Sequence, residues 1–195
     1  MTARTDAALE TRTALLDAGL EIAEQHGLSG MSINRVVAAA GVAKGTFYVH
    51  FTDRDEFLSA LHQRFHGRVA EAVAAARAGL PPGRTRLRRS MEAYFEVCLR
   101  DRGVKALLLE ARNSPGVAAV VAERNAGYAA LAEPDLRAMG WAEARTTARL
   151  FLAMSAELAM AEMANGERDD LGRRVLWEVL ERLDLAGGAE GAAAG

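Results

Sequence analysis

The chain has 195 residues, of which 50% are hydrophobic, 26% are charged and 6% are aromatic. This composition is typical of a globular protein that is long enough for one large domain or two small ones. The formal net charge of −2 excludes a generally basic nucleic-acid coat and a polybasic membrane anchor, so any contact with nucleic acid has to come from a local patch.

Three further features favour a cytoplasmic protein. The single cysteine, Cys98, excludes a disulfide within the chain and a cysteine-based zinc site. No apolar run approaches the ~20 residues of a membrane span. The N-terminal stretch MTARTDAALETR is polar and lacks the apolar core of a signal peptide.

The predicted elements are helices almost throughout. Residues 1–10 are expected to form a disordered arm, and an apolar stripe that starts at Leu15 and is closed by Gly27 predicts the first helix. Ser32 is a good N-cap for a short second helix, which Gly41 ends.

The next stretch, GVAKGTFYVHF from Gly41 to Phe51, fits two structures. Its alternation of polar residues with aromatic and β-branched ones is typical of a half-buried strand. The four-residue spacing of Phe47 and Phe51 is instead that of one helical face. A lone strand in a chain without sheet partners would leave its backbone groups unpaired, so the helix is favoured.

The rest of the chain is also predicted to be helical. A long connecting helix is expected over 54–78, capped by Thr52 or Asp53, and the GLPPGR segment that follows is the clearest breaker and domain boundary. Pro134 predicts a loop. Further helices are expected over 85–100, 104–113, 114–131, 141–165 and 168–185. The predicted domains are therefore 11–53, the connecting helix, 79–186, and a disordered tail over 187–195.

The second and third helices, joined by a tight turn at about Ala40 to Ala43, form a helix-turn-helix pattern. The outward face of the third helix would carry cationic and hydrogen-bonding residues and one glycine: Lys44, Gly45, Thr46, Tyr48 and His50. Such a face suits insertion into a DNA major groove. A generic αα-hairpin with ordinary surface residues fits the spacing as well. A phosphate-binding loop does not, since the lysine of GVAKGT precedes the second glycine and no strand leads into it.

The segment SINRVVAAAGVAKGTFYVHFTDRDEFLSAL, Ser32 to Leu61, resembles the DNA-binding segment of the TetR family of bacterial transcriptional regulators. The similarity extends back through TRTALLDAGLEIAEQHG. The resemblance implies an all-α fold, with an N-terminal three-helix helix-turn-helix DNA-binding domain and a C-terminal helical domain for ligand binding and dimerisation. It also implies a homodimer on double-stranded DNA with a palindromic operator, acting as a repressor that a small-molecule effector releases.

The resemblance also implies roles for the residues of this segment. It places the Lys44–Thr46 stretch at the start of the recognition helix, and Tyr48 and His50 among the contacts to phosphates or bases. Arg54 stands where the family often has a lysine on a phosphate, and arginine can keep that contact with different geometry. Arg35, on the outer face of the preceding helix, is a second candidate for a phosphate contact or else a solvated charge.

The C-terminal half is expected to hold the effector pocket. A pocket lined by aromatic residues and methionine with a few polar groups would suit a small apolar or amphipathic effector. The candidate lining residues are Met91, Tyr94, Phe95, Cys98, Arg112, Tyr128, Phe151, Met154 and Glu157. The same helical spacing is also typical of plain core.

The last two predicted helices are expected to form the dimer interface. They combine small residues that permit close helix packing with more apolar surface than one protomer needs. The candidate interface residues are Leu152, Ser155, Ala159, Leu176, Trp177 and Leu180. Trp177 also fits a place in the core of a single protomer.

No arrangement of catalytic or metal-ligating residues stands out. His62 and His66 are four residues apart, but no third ligand is evident, and the pair is expected on a partly exposed helical face. Cys98 fits a small buried hydrophobe better than a redox sensor. Neither an enzyme nor a cofactor is predicted. The alternatives to a ligand-responsive regulator are a DNA-binding regulator without a small-molecule ligand and a helical-bundle enzyme.

Overall fold

The computed structural model describes residues 3–27, 30–101 and 115–191, and this part of the chain contains helices and no strand. The helices are α1 Ala3–His26, α2 Ile33–Ala39, α3 Lys44–His50, α4 Arg54–Arg77, α5 Arg84–Arg100, α6 Pro115–Ala138, α7 Ala144–Asn165 and α8 Asp170–Gly191. The predicted all-α fold is confirmed, including the helical form of the ambiguous stretch at α3. No helix among the described residues is both long and apolar enough to cross a membrane.

The described residues fall into two compact units, and the boundary between them lies inside α4, after Arg68. The predicted boundary at GLPPGR is instead a turn within the second unit, where the backbone N–H of Gly83 donates to Asp135 Oδ1 at 2.9 Å. The first unit holds the described residues up to 68, with 101 and 115–117, and the second holds 69–100 and 118–191.

In the first unit, α1 and α4 approach each other closely at Gly19. A Cβ atom at this position would lie 2.6 Å from the Phe57 ring and 2.9 Å from a Leu61 methyl group, so the glycine gives these side chains their space. Large apolar side chains of all four helices are fully buried around this contact: Leu15, Val36, Phe47, Phe57, Leu61 and Phe65.

In the second unit, α6 continues through Pro134, where the sequence predicted a loop. A proline inside a helix loses one hydrogen bond and costs about 3 kcal/mol. The following residue, Asp135, is 1% exposed and accepts from Arg86 Nε at 2.7 Å and from the Gly83 N–H. Arg77 Nη2 donates to the Leu131 carbonyl oxygen at 3.2 Å. These contacts hold the helix on both sides of the proline.

Three other predicted boundaries differ from the structure. Residues 3–10 belong to α1 and 187–191 to α8, so these parts of the predicted disordered arm and tail are helical. An existing helix gains one hydrogen bond for each added residue, so it extends through segments too polar or too small to nucleate one. The helix predicted from Trp141 starts at Ala144. The helix predicted over 104–113, with Arg112, lies outside the described residues.

Candidate nucleic-acid interface

The turn between α2 and α3 is built by local backbone chemistry. The Ser32 hydroxyl accepts from the Arg35 N–H at 3.3 Å and caps α2, as predicted. Gly41 then takes a φ of 68°, a left-handed conformation that glycine adopts without steric cost. The Val42 N–H donates to the Val37 carbonyl at 3.0 Å and closes the turn. The chain can therefore change direction between α2 and α3 within a few residues.

An aromatic cluster fixes α3 to the first unit. Phe47 and Phe51 are at most 1% exposed, and both contact Phe57 of α4. The ring centroids are 5.3 Å apart for Phe47 and Phe51, 5.2 Å for Phe47 and Phe57, and 5.0 Å for Phe51 and Phe57. Each such pair contributes about 0.5–1.5 kcal/mol beyond the burial of its area. One side of this short helix is thus held rigidly.

The junction between α3 and α4 is also fixed. Asp53 Oδ1 accepts from the Glu56 N–H at 2.8 Å, so of the two predicted caps Asp53 is the one that caps α4. In return, Glu56 Oε2 accepts from the Thr52 N–H at 2.7 Å and from the Thr52 hydroxyl at 2.8 Å. These bonds from Thr52 lower the pKa of Glu56. The arrangement differs from a capping box by one residue, because Glu56 binds the N–H of Thr52 and not that of the cap Asp53, and it ties the residue before the cap to the first turn of α4.

The side of α3 away from the phenylalanines faces solvent. Lys44, Gly45 and Tyr48 are exposed, with 51% of Tyr48 accessible, while Thr46 and His50 are half-buried. The five predicted residues of α3 are therefore brought together on one short helix.

Sequence reasoning missed one residue of this face. Val49 is 79% exposed, more than the predicted contact residue Tyr48. The sequence prediction named only cationic and hydrogen-bonding residues and the glycine for the outward face, and it did not place Val49. The helical period gives the signal that was overlooked, because residue 49 lies opposite the two phenylalanines.

The two predicted arginines beside α3 are placed differently. Arg35 is exposed on α2, and its Nη1 donates to the Gly30 carbonyl at 2.8 Å, so it also holds the turn before α2. Arg54 is half-buried at the first residue of α4.

The predicted effector residues separate into three groups in the second unit. Met91, Phe95, Cys98 and Phe151 are at most 4% exposed. Tyr94 and Tyr128 are largely buried. Met154, at 40% exposed, and Glu157 lie on the surface of α7, and their place in a pocket stays a prediction. The inner face of α7 is Ala148, Phe151, Ser155, Ala159 and Glu162, which leaves both residues outside.

A polar cluster lies between α5 and α6. Burial raises the pKa of Tyr94 well above its ordinary value, with further increases from the neighbouring Cys98 and Tyr128. Burial also raises the pKa of Tyr128 and lowers the pKa of Arg124. Both phenols are therefore neutral at physiological pH. The cluster brings three of the predicted residues, Tyr94, Cys98 and Tyr128, together with Arg124, which sequence reasoning missed.

The predicted dimer residues lie mainly in the core of the protomer. Leu152 is half-buried, and the other five are at most 8% exposed: Ser155, Ala159, Leu176, Trp177 and Leu180. Trp177 packs on Phe151 with ring centroids 5.4 Å apart, which is the intramolecular alternative. Different apolar residues are exposed on the same two helices: Leu150 at 64%, Met154 at 40%, Leu171 at 63% and Val175 at 46%.

The histidine pair is more buried than predicted. His62 is 2% exposed and His66 is half-buried, with ring centroids 4.5 Å apart. His62 is buried with Leu61 on the inner side of α4, and His66 follows one helical turn later. In the part of the chain that the structure describes, no three side chains of His, Cys, Asp or Glu are grouped as metal ligands.

Comparison with known proteins finds similarity in the N-terminal part of the chain. Residues 15–61 match the model of the bacterial regulatory proteins of the tetR family. The chain is 32% identical over 74 residues to the HTH-type transcriptional regulator AcrR of Shigella flexneri, and 30% identical over 96 residues to the HTH-type transcriptional repressor NemR of Escherichia coli K12. The matches cover 38% and 47% of this chain, but only 34% and 45% of those relatives.

Solved structures extend the similarity to most of the chain. A TetR-like transcriptional regulator from Rhodococcus sp. RHA1 superposes with a TM-score of 0.69 at 22% identity, covering 88% of this chain and 96% of that one, which shows a shared fold. The multidrug binding protein EbrR, complexed with imidazole, gives a TM-score of 0.69 at 26% identity, covering 86% of this chain and 93% of that one.

Proposed function

We propose that this chain is a dimeric transcriptional regulator of the TetR family, which represses genes from a palindromic operator until a small molecule releases it. The proposal rests on how α3 is held. Phe47, Phe51 and Phe57 fix one side of this helix, while its other side presents polar and exposed residues to solvent. A rigidly held, solvent-facing helix at the end of a glycine turn is what a major groove accepts.

The residues on and beside α3 fall into two groups, those suited to contact phosphates and those suited to contact base edges. Lys44 and Tyr48 are exposed and carry groups that donate hydrogen bonds to phosphate oxygens, with Arg54 as a further candidate. Thr46 and His50 can donate to, or accept from, base edges. Arg35 uses one of its five N–H donors on the Gly30 carbonyl and is exposed, so it is a further candidate for a phosphate contact.

Dimerisation supplies the second recognition helix that a palindrome requires. We define the apolar stripe as Leu150, Met154, Leu171 and Val175, the exposed apolar residues of α7 and α8. They replace the buried residues predicted from the sequence. Leu150 and Met154, like Leu171 and Val175, are four residues apart, so each pair lies on one helical face. Two copies of this stripe would bury side chains that a single protomer leaves in water.

The effector is proposed to bind beside the polar cluster between α5 and α6, which consists of Tyr94, Cys98, Arg124 and Tyr128. Neutral phenols and a guanidinium within apolar surroundings suit an amphipathic molecule with a hydrogen-bond acceptor. The structural relative EbrR is described as a multidrug binding protein and has been solved with imidazole and with malachite green. Helix α4 runs without interruption through residues of both units, so we propose that it transmits the change from the effector to α3.

Selection of DNA from a random duplex pool tests the proposed function. The purified protein is expected to enrich a two-fold symmetric motif whose half-sites are about one helical turn, roughly 34–36 Å, apart. The symmetry follows from a dimer in which each α3 reads one half-site. A pool that is not enriched, or that yields a motif without symmetry, would contradict the proposal. A variant with Phe47→Ala, which releases α3 from its support, is the negative control.

A further inference from the structure

The most exposed large apolar side chain on α3 stands at the centre of its outward face. Val49 follows Phe47 by two residues and precedes Phe51 by two. At about 100° per residue, Val49 therefore points about 160° away from each buried ring. The same geometry places Tyr48 and His50 at the flanks of the helix. A surface that lies against the outward side of α3 therefore meets Val49 between Tyr48 and His50.

The glycine one turn earlier leaves this apolar side chain uncovered. Gly45 is exposed, its φ is not left-handed, and a Cβ atom there would meet no atom within 4 Å. The fold would therefore accept alanine, which would favour the helix by about 1 kcal/mol. No contact inside the protein requires the glycine, so Gly45 affects the outer surface of α3 and not its packing. It leaves a shallow, apolar strip of Gly45 and Val49 along the middle of α3.

The chemistry of this strip selects among the groups of the major groove. The Val49 side chain has no hydrogen-bonding group, whereas a base edge presents donors, acceptors and, on thymine alone, the C5-methyl group. An exposed valine by itself would need no explanation. Its position opposite the anchor rings, next to a glycine that the fold does not need, distinguishes it from scattered surface residues.

We propose that Val49 is a specificity-determining residue that packs on the C5-methyl group of a thymine, and that Gly45 allows the backbone of α3 to approach that base pair. This assignment rests on the proposed function, since it requires α3 to enter the major groove. It adds an apolar contact at the centre of the helix to the polar contacts at its flanks. The operator should accordingly contain a thymine at one fixed position in each half-site.

Deoxyuridine substitution tests the proposal, because it removes only the methyl group from thymine. Each thymine of the selected duplex is replaced in turn, and in both half-sites, and the affinity is measured by fluorescence anisotropy. At one position, the wild type is expected to lose about four-fold in affinity per half-site, the value of one buried methyl-sized group. Val49→Ala is expected to bind the thymine and deoxyuridine duplexes equally at that position.

Two variants provide the matched controls. Leu9→Ala shortens a leucine of α1 that is 57% exposed and lies outside the proposed DNA contacts, and it is expected to keep the thymine dependence of the wild type. Gly45→Ala is expected to weaken binding while the melting temperature stays the same or rises, because the added methyl group blocks the approach and favours the helix.

The outcomes separate the inference from the function on which it rests. If the wild type binds the selected duplex but no thymine is methyl-dependent, or if Val49→Ala keeps the dependence, the role of Val49 is refuted and the proposed function stands. If the wild type selects no duplex at all, the proposed function is refuted and the role of Val49 with it. Val49→Ala leaves the core untouched, so its circular dichroism spectrum should match that of the wild type.

Discussion

Replacing Glu162 by glutamine is expected to lower the free energy of unfolding by about 3 kcal/mol or more, because it leaves a buried guanidinium without its main counter-charge. Glu162 and Arg173 are 1% and 5% exposed, and two Arg173 nitrogens donate to the two Glu162 oxygens at 2.7 Å each. Glu162 Oε1 also accepts from the Asp169 N–H at 3.0 Å. The carboxylate therefore joins α7, the turn and α8.

The surroundings of Arg173 show how the pair is held. Burial acts to lower the pKa of Arg173, but hydrogen bonds to Glu162 and Glu96 outweigh it, so this pKa is raised and the side chain stays charged. Its guanidinium also lies over the Phe95 ring, 4.7 Å from the centroid. Glu96 is largely exposed at 59% and replaces little of the lost charge.

Urea unfolding at a fixed protein concentration measures this effect, since dimerisation makes stability depend on concentration. The matched control is Glu92→Gln, which breaks an exposed pair with Arg88 and should change the free energy by less than about 1 kcal/mol. Replacing Glu162 and Arg173 together by methionine should recover much of the loss. A Glu162→Gln protein as stable as the wild type would show that the pair does not hold these helices together.

The second large effect is expected at the apolar stripe. With Leu150 and Leu171 both replaced by glutamate, each protomer carries two charges that a paired interface would have to bury. Sedimentation should then report a monomer. Affinity for the selected operator should fall at least about a thousand-fold, toward the non-specific level, because one α3 cannot read two half-sites.

Substitutions outside the stripe separate its role from that of the fold. Leu9→Glu changes a leucine on α1 that is 57% exposed, and it should leave the dimer intact. Leu180→Ala, at a residue predicted from the sequence but 2% exposed, should lower the melting temperature without first separating the protomers. A dimeric Leu150→Glu, Leu171→Glu protein would place the interface elsewhere.

The N-terminal unit could be predicted because its signals are local. Ser32 caps α2, Gly41 ends it, and the spacing of Phe47 and Phe51 identifies the buried side of α3. Each of these depends on residues within one or two turns of each other. Val49 was missed for a different reason, since only cationic and hydrogen-bonding residues and the glycine were considered as contacts to DNA.

The faces of α7 and α8 could not be predicted because the helices are apolar on more than one side. Ser155 and Glu162 face the core, while Leu150 and Met154 face solvent, which reverses the usual pattern. Glu162 can be buried because it pairs with Arg173 of the next helix. Ser155 can be buried because its hydroxyl donates to the Phe151 carbonyl at 2.7 Å. Helical period alone carries no information on such partners.

The central claim is that α3 enters the major groove with Lys44 on a phosphate. The most direct test is the affinity of wild type and Lys44→Ala for the selected operator, measured by anisotropy as a function of salt concentration. We expect weaker binding for the variant, a slope of log K against log salt that is smaller by about one, and an unchanged dimer mass. A Lys44→Ala dimer with wild-type affinity and wild-type slope would contradict it.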